Sequence, residues 1–303
     1  MDINLLVILG PTASGKTRVA VQVAQILGGE IISADSRQVY RGMDIGTGKD
    51  LAEYRGIPYH LIDILDPRTE FSVFDFQYRF SEAFTRVRDQ GKMPLLVGGT
   101  GLYLDAVLRG YRLPEVPRDP DLRKKLELLT DAELGARLRT SRVSLHNITD
   151  LTDRDRLIRA IEIAESSQKN PPPTMDLTEL RAIVFGIKWD REVLRLRITK
   201  RLKERLDGGM IEEVRNLYQS GLSFQQLDDY GLEYRYVGLY LRRVLNRNDL
   251  FQKLNSAIHQ FAKRQETWFR RMERQGIVVH WLEGDKDPSG EILKKIRQTE
   301  AKS

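Results

Sequence analysis

The sequence predicts an α/β fold, a parallel sheet flanked by helices and interrupted by a helical insertion. Three observations carry that expectation. First, an apolar run, Leu5–Leu9, enters the turn Gly10-Pro11-Thr12-Ala13-Ser14-Gly15-Lys16-Thr17 and leaves it into a helical pattern, the strand, loop and helix order of a P-loop. Second, short strand-like runs at Glu30–Ala34 and Pro94–Val97 end in Asp35-Ser36 and Gly98-Gly99-Thr100, which suits parallel strands with a ligand site beyond their carboxyl ends. Third, residues 111–177 begin and end in proline-rich joins and hold helix-period sequence between them. The expected organisation is a P-loop NTPase-like core over 1–110 and 178–303, with a helical insertion over 111–177.

The elements follow in order. Gly10 and Gly15 can take backbone angles closed to other residues, so successive N–H groups converge on an anion at a helix N-terminus. Lys16 adds a full charge and the Thr17 hydroxyl can ligate Mg²⁺, as the spacing Gly, four residues, Gly-Lys-Thr requires. Any polyphosphate fits such a cradle. A helix is expected over Arg18–Leu27, with Val19, Val23 and Ile26 on one side. Asp35, at a strand end, is expected near the cradle, or else Asp35 or Ser36 caps the helix that begins near Arg37. Residues 36–49 lack periodicity but hold three glycines and five ionisable side chains, the profile of a binding loop.

Tyr59–Ile64 reads as a strand, Phe74–Gln90 as a helix stopped by Gly91, and 121–168 as helical, with Leu122, Leu126, Leu129, Leu157, Ile161 and Ala164 at helix spacing. Arg181–Lys188 resumes the sheet. Asp190–Gln219 is a long helical stretch broken near Gly208-Gly209, with Leu194, Ile198 and Leu202 as its apolar line. Arg197, Arg201 and Arg205 form a second line four residues apart, which reads as a solvated face or as a clamp on polyphosphate. Residues 255–275 carry five Lys/Arg against two Glu, a local charge of +3, among Phe261, Trp268 and Phe269. That mixture suits either an amphipathic helix or RNA, whose phosphates meet the charges while an unstacked base meets a ring. Ile277–Trp281 is expected as the last strand, with a frayed polar tail after Asp285.

Composition narrows the classes. The 303 residues are 41% hydrophobic and 30% charged, ordinary for a chain that buries a full core. No run nears the ~18 apolar residues of a membrane helix, and the start has no secretion-signal pattern, so a cytoplasmic protein without membrane contact is expected. Zero cysteines exclude disulfides and thiolate metal sites, and four histidines argue against structural zinc. The formal charge of +6 favours a polyanionic partner.

Taken together, these residues resemble the tRNA dimethylallyltransferase (isopentenyltransferase) family. The matching pieces run in order over nearly the whole chain: Gly10 to Thr17, Asp35 to Thr47, His60 to Pro67, Leu96 to Tyr103, Asp155 to Glu162, and Ala262-Lys263-Arg264-Gln265-Glu266-Thr267-Trp268-Phe269-Arg270. The resemblance implies transfer of a dimethylallyl group from dimethylallyl diphosphate to N6 of adenosine 37, beside the tRNA anticodon. It implies that Lys16 and the cradle hold the diphosphate with Mg²⁺ on Thr17, and that Asp35 takes the proton from N6. It further implies that Arg201 contacts the diphosphate, that Thr100 lies near the reacting ends, and that Gln38 helps hold the adenine, flipped into a channel entered opposite the diphosphate. Contacts to the tRNA anticodon stem-loop are implied for Asp35, Ser36, Arg37, Gln38, Thr100, Arg123, Asp155, Arg156, Leu157, Ile158, Arg159, Lys263, Arg264, Gln265, Trp268 and Arg270, in a monomer. Two stretches depart from the family pattern: Gly231-Leu232-Glu233-Tyr234-Arg235-Tyr236, where only Tyr234 and Arg235 match, and 141–150, which lacks an expected Asp-Pro. The alternative reading is a P-loop kinase or ATPase, with Asp63 the nearest candidate for its metal-binding aspartate.

Overall fold

A computed structural model describes residues 3–111, 116, 119–140, 154–167 and 179–300. The chain divides into two compact units, Met1–Gly110 with Leu177–Ser303, and Tyr111–Asp176. In the larger unit, β1 (Leu5–Leu9), β2 (Glu30–Ala34), β3 (Tyr59–His60), β4 (Pro94–Gly98), β5 (Ala182–Lys188) and β6 (Val279–Glu283) form one parallel sheet ordered β3-β2-β4-β1-β5-β6. The register pairs Leu9 with Gly98 and Gly98 with Ala34. The loops that leave β1, β2 and β4 therefore emerge side by side, where ligands sit in an open parallel sheet.

Every residue of β1, β2 and β4 is buried, because helices cover both faces. On one face α1 (Lys16–Leu27) buries Val19, Ala20, Val21, Val23 and Ala24, while Ile26 points outward, 60% exposed. α12 (Pro288–Glu300) packs beside it with Ile292 and Ile296 in the core. The tail expected to fray is therefore a helix, and its i, i+4 isoleucine pair is the apolar signal that a polar composition hid. On the other face lie α2 (Val73–Asp89), started by a Ser72/Asp75 capping box, and α3 (Gly101–Leu108). Phe76, Phe80 and Tyr103 from these helices meet Phe269 of α11 (Arg247–Arg274) in one cluster. α7 (Arg191–Asp207), α8 (Met210–Gln219), α9 (Phe224–Asp229) and α10 (Leu232–Leu241) build a helical layer with α11 around Leu194, Ile198, Leu202, Tyr234 and Leu254.

The strand expected over Tyr59–Ile64 stops at His60. Leu61 and Asp63 take positive φ, 64° and 55°, and residues 63–65 turn to bond the carbonyls of Gln38 and Val39 instead. The smaller unit contains α4 (Pro120–Glu127), α5 (Asp131–Thr140) and α6 (Arg154–Ser167), packed through Leu126, Leu134, Leu138, Leu157, Ile158 and Ile161. The departure at 141–150, and the prolines 114, 117 and 171–173, lie outside the described residues.

At the opposite end of the sheet Glu30 is buried, 2.7 Å from His60 Nε2 and 2.5 Å from Lys92 Nζ. Burial pushes its carboxyl up, but the hydrogen bonds and charges of Lys92 and His60 outweigh that and hold it below its ordinary 4.5. A carboxyl with a depressed folded pKa stabilises the fold fully above its unfolded value and loses that contribution as pH falls through the folded one. The stability difference between the wild type and Glu30→Gln in urea titrations is therefore expected to be largest near pH 7 and to shrink below about pH 4.5. A difference constant from pH 7 to pH 3 contradicts the assignment.

Candidate active site

The cradle runs from Gly10 to Thr17. Gly15 takes φ 83° and caps α1, and Ala13 also sits at positive φ, 61°. For a residue with a Cβ that conformation is strained. Two outside side chains hold it in place. Arg197 Nε donates to the Ala13 carbonyl at 2.8 Å, and Trp189 Nε1 donates to the Ser14 carbonyl at 2.8 Å. The guanidinium of Arg197 lies 4.1 Å above the Trp189 ring, so the two clamps brace each other.

Lys16 opens α1, with Nζ 3.5 Å from the Pro11 carbonyl. Burial lowers its pKa to about 8, opposed by the charge of Asp35 and aided by Arg201 and Arg205. These four groups therefore share one electrostatic environment at the end of the sheet. Asp35 follows β2 directly and accepts from the Arg37 N–H at 2.9 Å. Thr100, at the start of α3, accepts from the Ser36 N–H at 3.1 Å. Gln38 accepts from Ser33 Oγ and donates to the Gly48 carbonyl, both at 3.3 Å. Asp35, Ser36, Gln38 and Thr100 are thus neighbours across two strand ends.

Arg197, Arg201 and Arg205, the line four residues apart on α7, all face the site, so the solvated-face reading is corrected for Arg197 and Arg205 as well as Arg201. Arg201 Nη2 donates to the Gly48 carbonyl at 3.3 Å and pairs with Asp50. Arg205 lies 3.6 Å from Glu233. Burial raises the Glu233 carboxyl while Arg205 opposes the rise. Gly48 has φ 64°, and a Cβ there would strike the guanidinium of Arg205, so only glycine lets this loop lie across both arginines.

Sequence reasoning missed what holds that loop. The carboxylate of Glu213 accepts the N–H groups of Asp44, Ile45 and Gly46 at 2.9, 2.6 and 2.9 Å, and the Tyr234 hydroxyl at 2.8 Å. Lys49, 1% exposed, donates to the Tyr40 carbonyl and to Asp44, each at 2.6 Å, and pairs with Asp63. Glu213 does not stand out from its neighbours in the chain because the loop it holds lies about 170 positions earlier. Lys49, one of five ionisable side chains in that loop, shows its burial only once the loop has folded around it. Tyr234, one of the two residues of 231–236 expected to match the family pattern, is buried and serves this anchor.

The residues named as RNA contacts separate by exposure. Arg37 and Trp268 are partly buried, and Lys263, Arg264 and Arg270 are exposed on α11. Gln265 is not on that surface. It is 8% exposed and bonds the Thr12 N–H and the Gly99 carbonyl. In the smaller unit Asp155 and Arg156 are exposed. Leu157 and Ile158 are 2% and 1% exposed, core residues whose side chains meet no solvent. Arg123 is 3.0 Å from Asp155 and 3.7 Å from Glu127 and Glu162. Arg159 bonds Glu162 and the Val116 carbonyl. Both guanidinium groups are thus engaged within the unit.

For a metal the chain offers Thr17 at the cradle, and among the described residues no group of three or more His, Cys, Asp or Glu side chains could hold an ion. That donor set fits an ion such as Mg²⁺, which takes most of its ligands from substrate phosphates and water. No described helix is long and apolar enough to cross a membrane.

A glycine-framed loop between β1 and α1, whose Lys16 feels the charges of Asp35, Arg201 and Arg205, defines a P-loop protein. The model of the IPP transferase family matches residues 38–272, and that of isopentenyl transferases matches residues 3–56. The chain is 61% identical over 294 residues to tRNA dimethylallyltransferase 2 of Syntrophotalea carbinolica, covering 97% of this chain and 99% of the relative. It is 60% identical over 297 residues to tRNA dimethylallyltransferase 1 of Geotalea uraniireducens, covering 98% of each. The crystal structure of the full-length tRNA isopentenylpyrophosphate transferase of Bacillus halodurans superposes with a TM-score of 0.71 at 34% identity, covering 99% of this chain and 97% of that one. The chain belongs to the tRNA dimethylallyltransferase family of IPP transferases.

Because Lys16 loses its proton near pH 8, the free cradle loses a cation as pH rises. Calorimetric titration with inorganic pyrophosphate is expected to show affinity that weakens above about pH 8 in the wild type. Lys16→Arg stays charged and reports the anion's own ionisation. Parallel pH profiles for the two proteins contradict this placement of Lys16.

Proposed function

We propose that the chain transfers the dimethylallyl group of dimethylallyl diphosphate to N6 of adenosine 37 in the anticodon stem-loop of tRNA, as a cytoplasmic monomer. The observation that carries the reading is the shared environment of Lys16, Asp35, Arg201 and Arg205, an anion cradle with one carboxylate at its mouth. The tRNA dimethylallyltransferase names of the relatives support the acceptor.

In the reaction the allylic C–O bond breaks, a bond forms from N6 to that carbon, and diphosphate departs. Lys16, Arg201 and Arg205 stabilise the charge that grows on the diphosphate, where preorganised cations act most strongly. The Thr17 hydroxyl would hold Mg²⁺, and the ion would supply charge neutralisation for the leaving group. The N6 lone pair is delocalised into the purine, so attack needs simultaneous loss of a proton, and Asp35 takes it. Asp35 is oriented by the Arg37 N–H. Thr100, whose oxygen accepts from Ser36, keeps its own proton to donate at the reacting ends. Gln38, steadied by Ser33 and Gly48, meets the flipped adenine, and the exposed Arg264 and Lys263 meet RNA phosphates.

Phosphoryl transfer, the alternative, is disfavoured by the end of β4, which lies between β1 and β2. β4 ends in Gly98-Gly99 with no carboxylate, and Asp63 is paired to Lys49.

The test is a transfer assay with Mg²⁺, dimethylallyl diphosphate and an anticodon stem-loop carrying adenosine 37, read by mass spectrometry. Asp35→Asn is expected to lower turnover by about 10²- to 10⁴-fold while RNA binding persists. Turnover unchanged in that variant, or no product with any tRNA from the source cell, refutes the proposal.

A further inference from the structure

Gln265 occupies the buried face of α11 and reaches into the site twice. Its Oε1 accepts from the Thr12 N–H at 2.9 Å, and its Nε2 donates to the Gly99 carbonyl at 2.8 Å. Thr12 lies inside the cradle. Gly99 precedes Thr100, whose hydroxyl accepts from Ser36 beside Asp35. One side-chain amide therefore joins the loop that receives the anion to the turn that flanks the proton acceptor.

The chemistry of that bridge is selective. It needs an acceptor on one side and a donor on the other, at the reach of a glutamine. Glutamate has no donor for Gly99, and asparagine is one methylene short. The fit is also close, because a Cβ at Gly99 would strike the Gln265 amide and one at Gly101 would strike Trp268. Pro11 has no N–H, so Thr12 supplies the next donor of the cradle after Gly10. Gln265 takes that donor and thereby fixes the tilt of the Pro11–Thr12 peptide.

We infer that Gln265 is a positioning residue for the transfer and not an RNA contact: it sets the cradle against the Thr100 turn so that leaving group and proton acceptor keep one relative placement. This rests on the function proposed above for that site. Misplacement of reacting groups by about 1 Å costs on the order of 10²-fold in rate, so a side chain that touches neither substrate can control turnover.

Two variants and two readouts test it. Gln265→Met keeps length and packing but makes neither hydrogen bond, whereas Gln265→Glu keeps only the acceptor for Thr12. Amide hydrogen exchange of the ligand-free protein is expected to rise about tenfold at residues 10–17 and 99–103 in Gln265→Met. In Gln265→Glu the Thr12 amide is expected to stay protected while the 99–103 segment loosens. Turnover with both substrates saturating is expected to fall about 10- to 100-fold in each variant, with RNA affinity within about twofold of the wild type. Unchanged exchange at both segments overturns the inference, as does a variant whose sole defect is weaker RNA binding. If the wild type transfers nothing, the proposed function falls, and the exchange comparison still decides whether Gln265 sets the cradle.

Discussion

Lys16, Arg201 and Arg205 gather positive charge at one end of the sheet, and like charges held close in a partly buried site repel. At an effective dielectric near 20, a pair about 4 Å apart costs roughly 4 kcal/mol. An anion pocket has to withstand this before its anion arrives. The structure offsets it with Asp35 near Lys16, Asp50 on Arg201 and Glu233 on Arg205, and with carbonyls of Pro11, Ala13 and Gly48 turned toward the cations. Burial still lowers the pKa of Lys16, Arg197 and Arg205. In the proposed function that residual tension becomes affinity, since a polyphosphate would relieve it at every one of these groups together.

Holding the carbonyl of Gly48 against arginines demands a loop that does not yield, and residues 36–50 have little regular structure with which to resist. Their stiffness comes from two side chains that occupy the loop's own polar groups. Glu213 fills the nest formed by three successive N–H groups, which would otherwise compete for an anion. Lys49 fills the other side, with a carbonyl and two carboxylates around its ammonium. Burial and the Glu213 carboxylate both push the Tyr234 phenol far above its ordinary range, so it remains a donor and keeps Glu213 oriented. Tyr234 of this anchor and Glu233, the counter-charge of Arg205, are consecutive residues of α10.

The sheet and the cradle were legible because both are local. A buried parallel strand announces itself as an apolar run, and a phosphate loop as glycines at fixed spacing followed by lysine. Asp35 and Thr100 could be placed because register in a parallel sheet puts strand ends side by side. What could not be read depends on partners distant in sequence. Ile292 and Ile296 of α12 sit among polar residues, and only α1 shows what they cover. Arg197, Arg201 and Arg205 of α7 have the spacing of a solvated face, and the loop that lies over the last two begins about 150 positions earlier. Gln265 belongs to a basic, aromatic segment, yet helix period rotates it away from Lys263 and Arg264 onto the side that packs against the sheet.

The same cradle serves phosphoryl transfer in other proteins, and what separates the two chemistries is the position of the carboxylate. A kinase or ATPase keeps an aspartate where it reaches the metal beside the phosphates, and the neighbouring strand is the natural source. Here β1 lies between β4 and β5. β4 runs into Gly98-Gly99, where the space a side chain would fill is taken by the Ala34 carbonyl and by Gln265, while Asp190 after β5 is spent capping α7. The carboxylate has moved one strand outward, to Asp35 at the end of β2. From there it flanks the cradle instead of lining it, close enough to Lys16 to feel its charge. In the proposed transfer a base so placed is free of the metal and the phosphates, so it can take the proton from the attacking nitrogen while the cradle holds the leaving group.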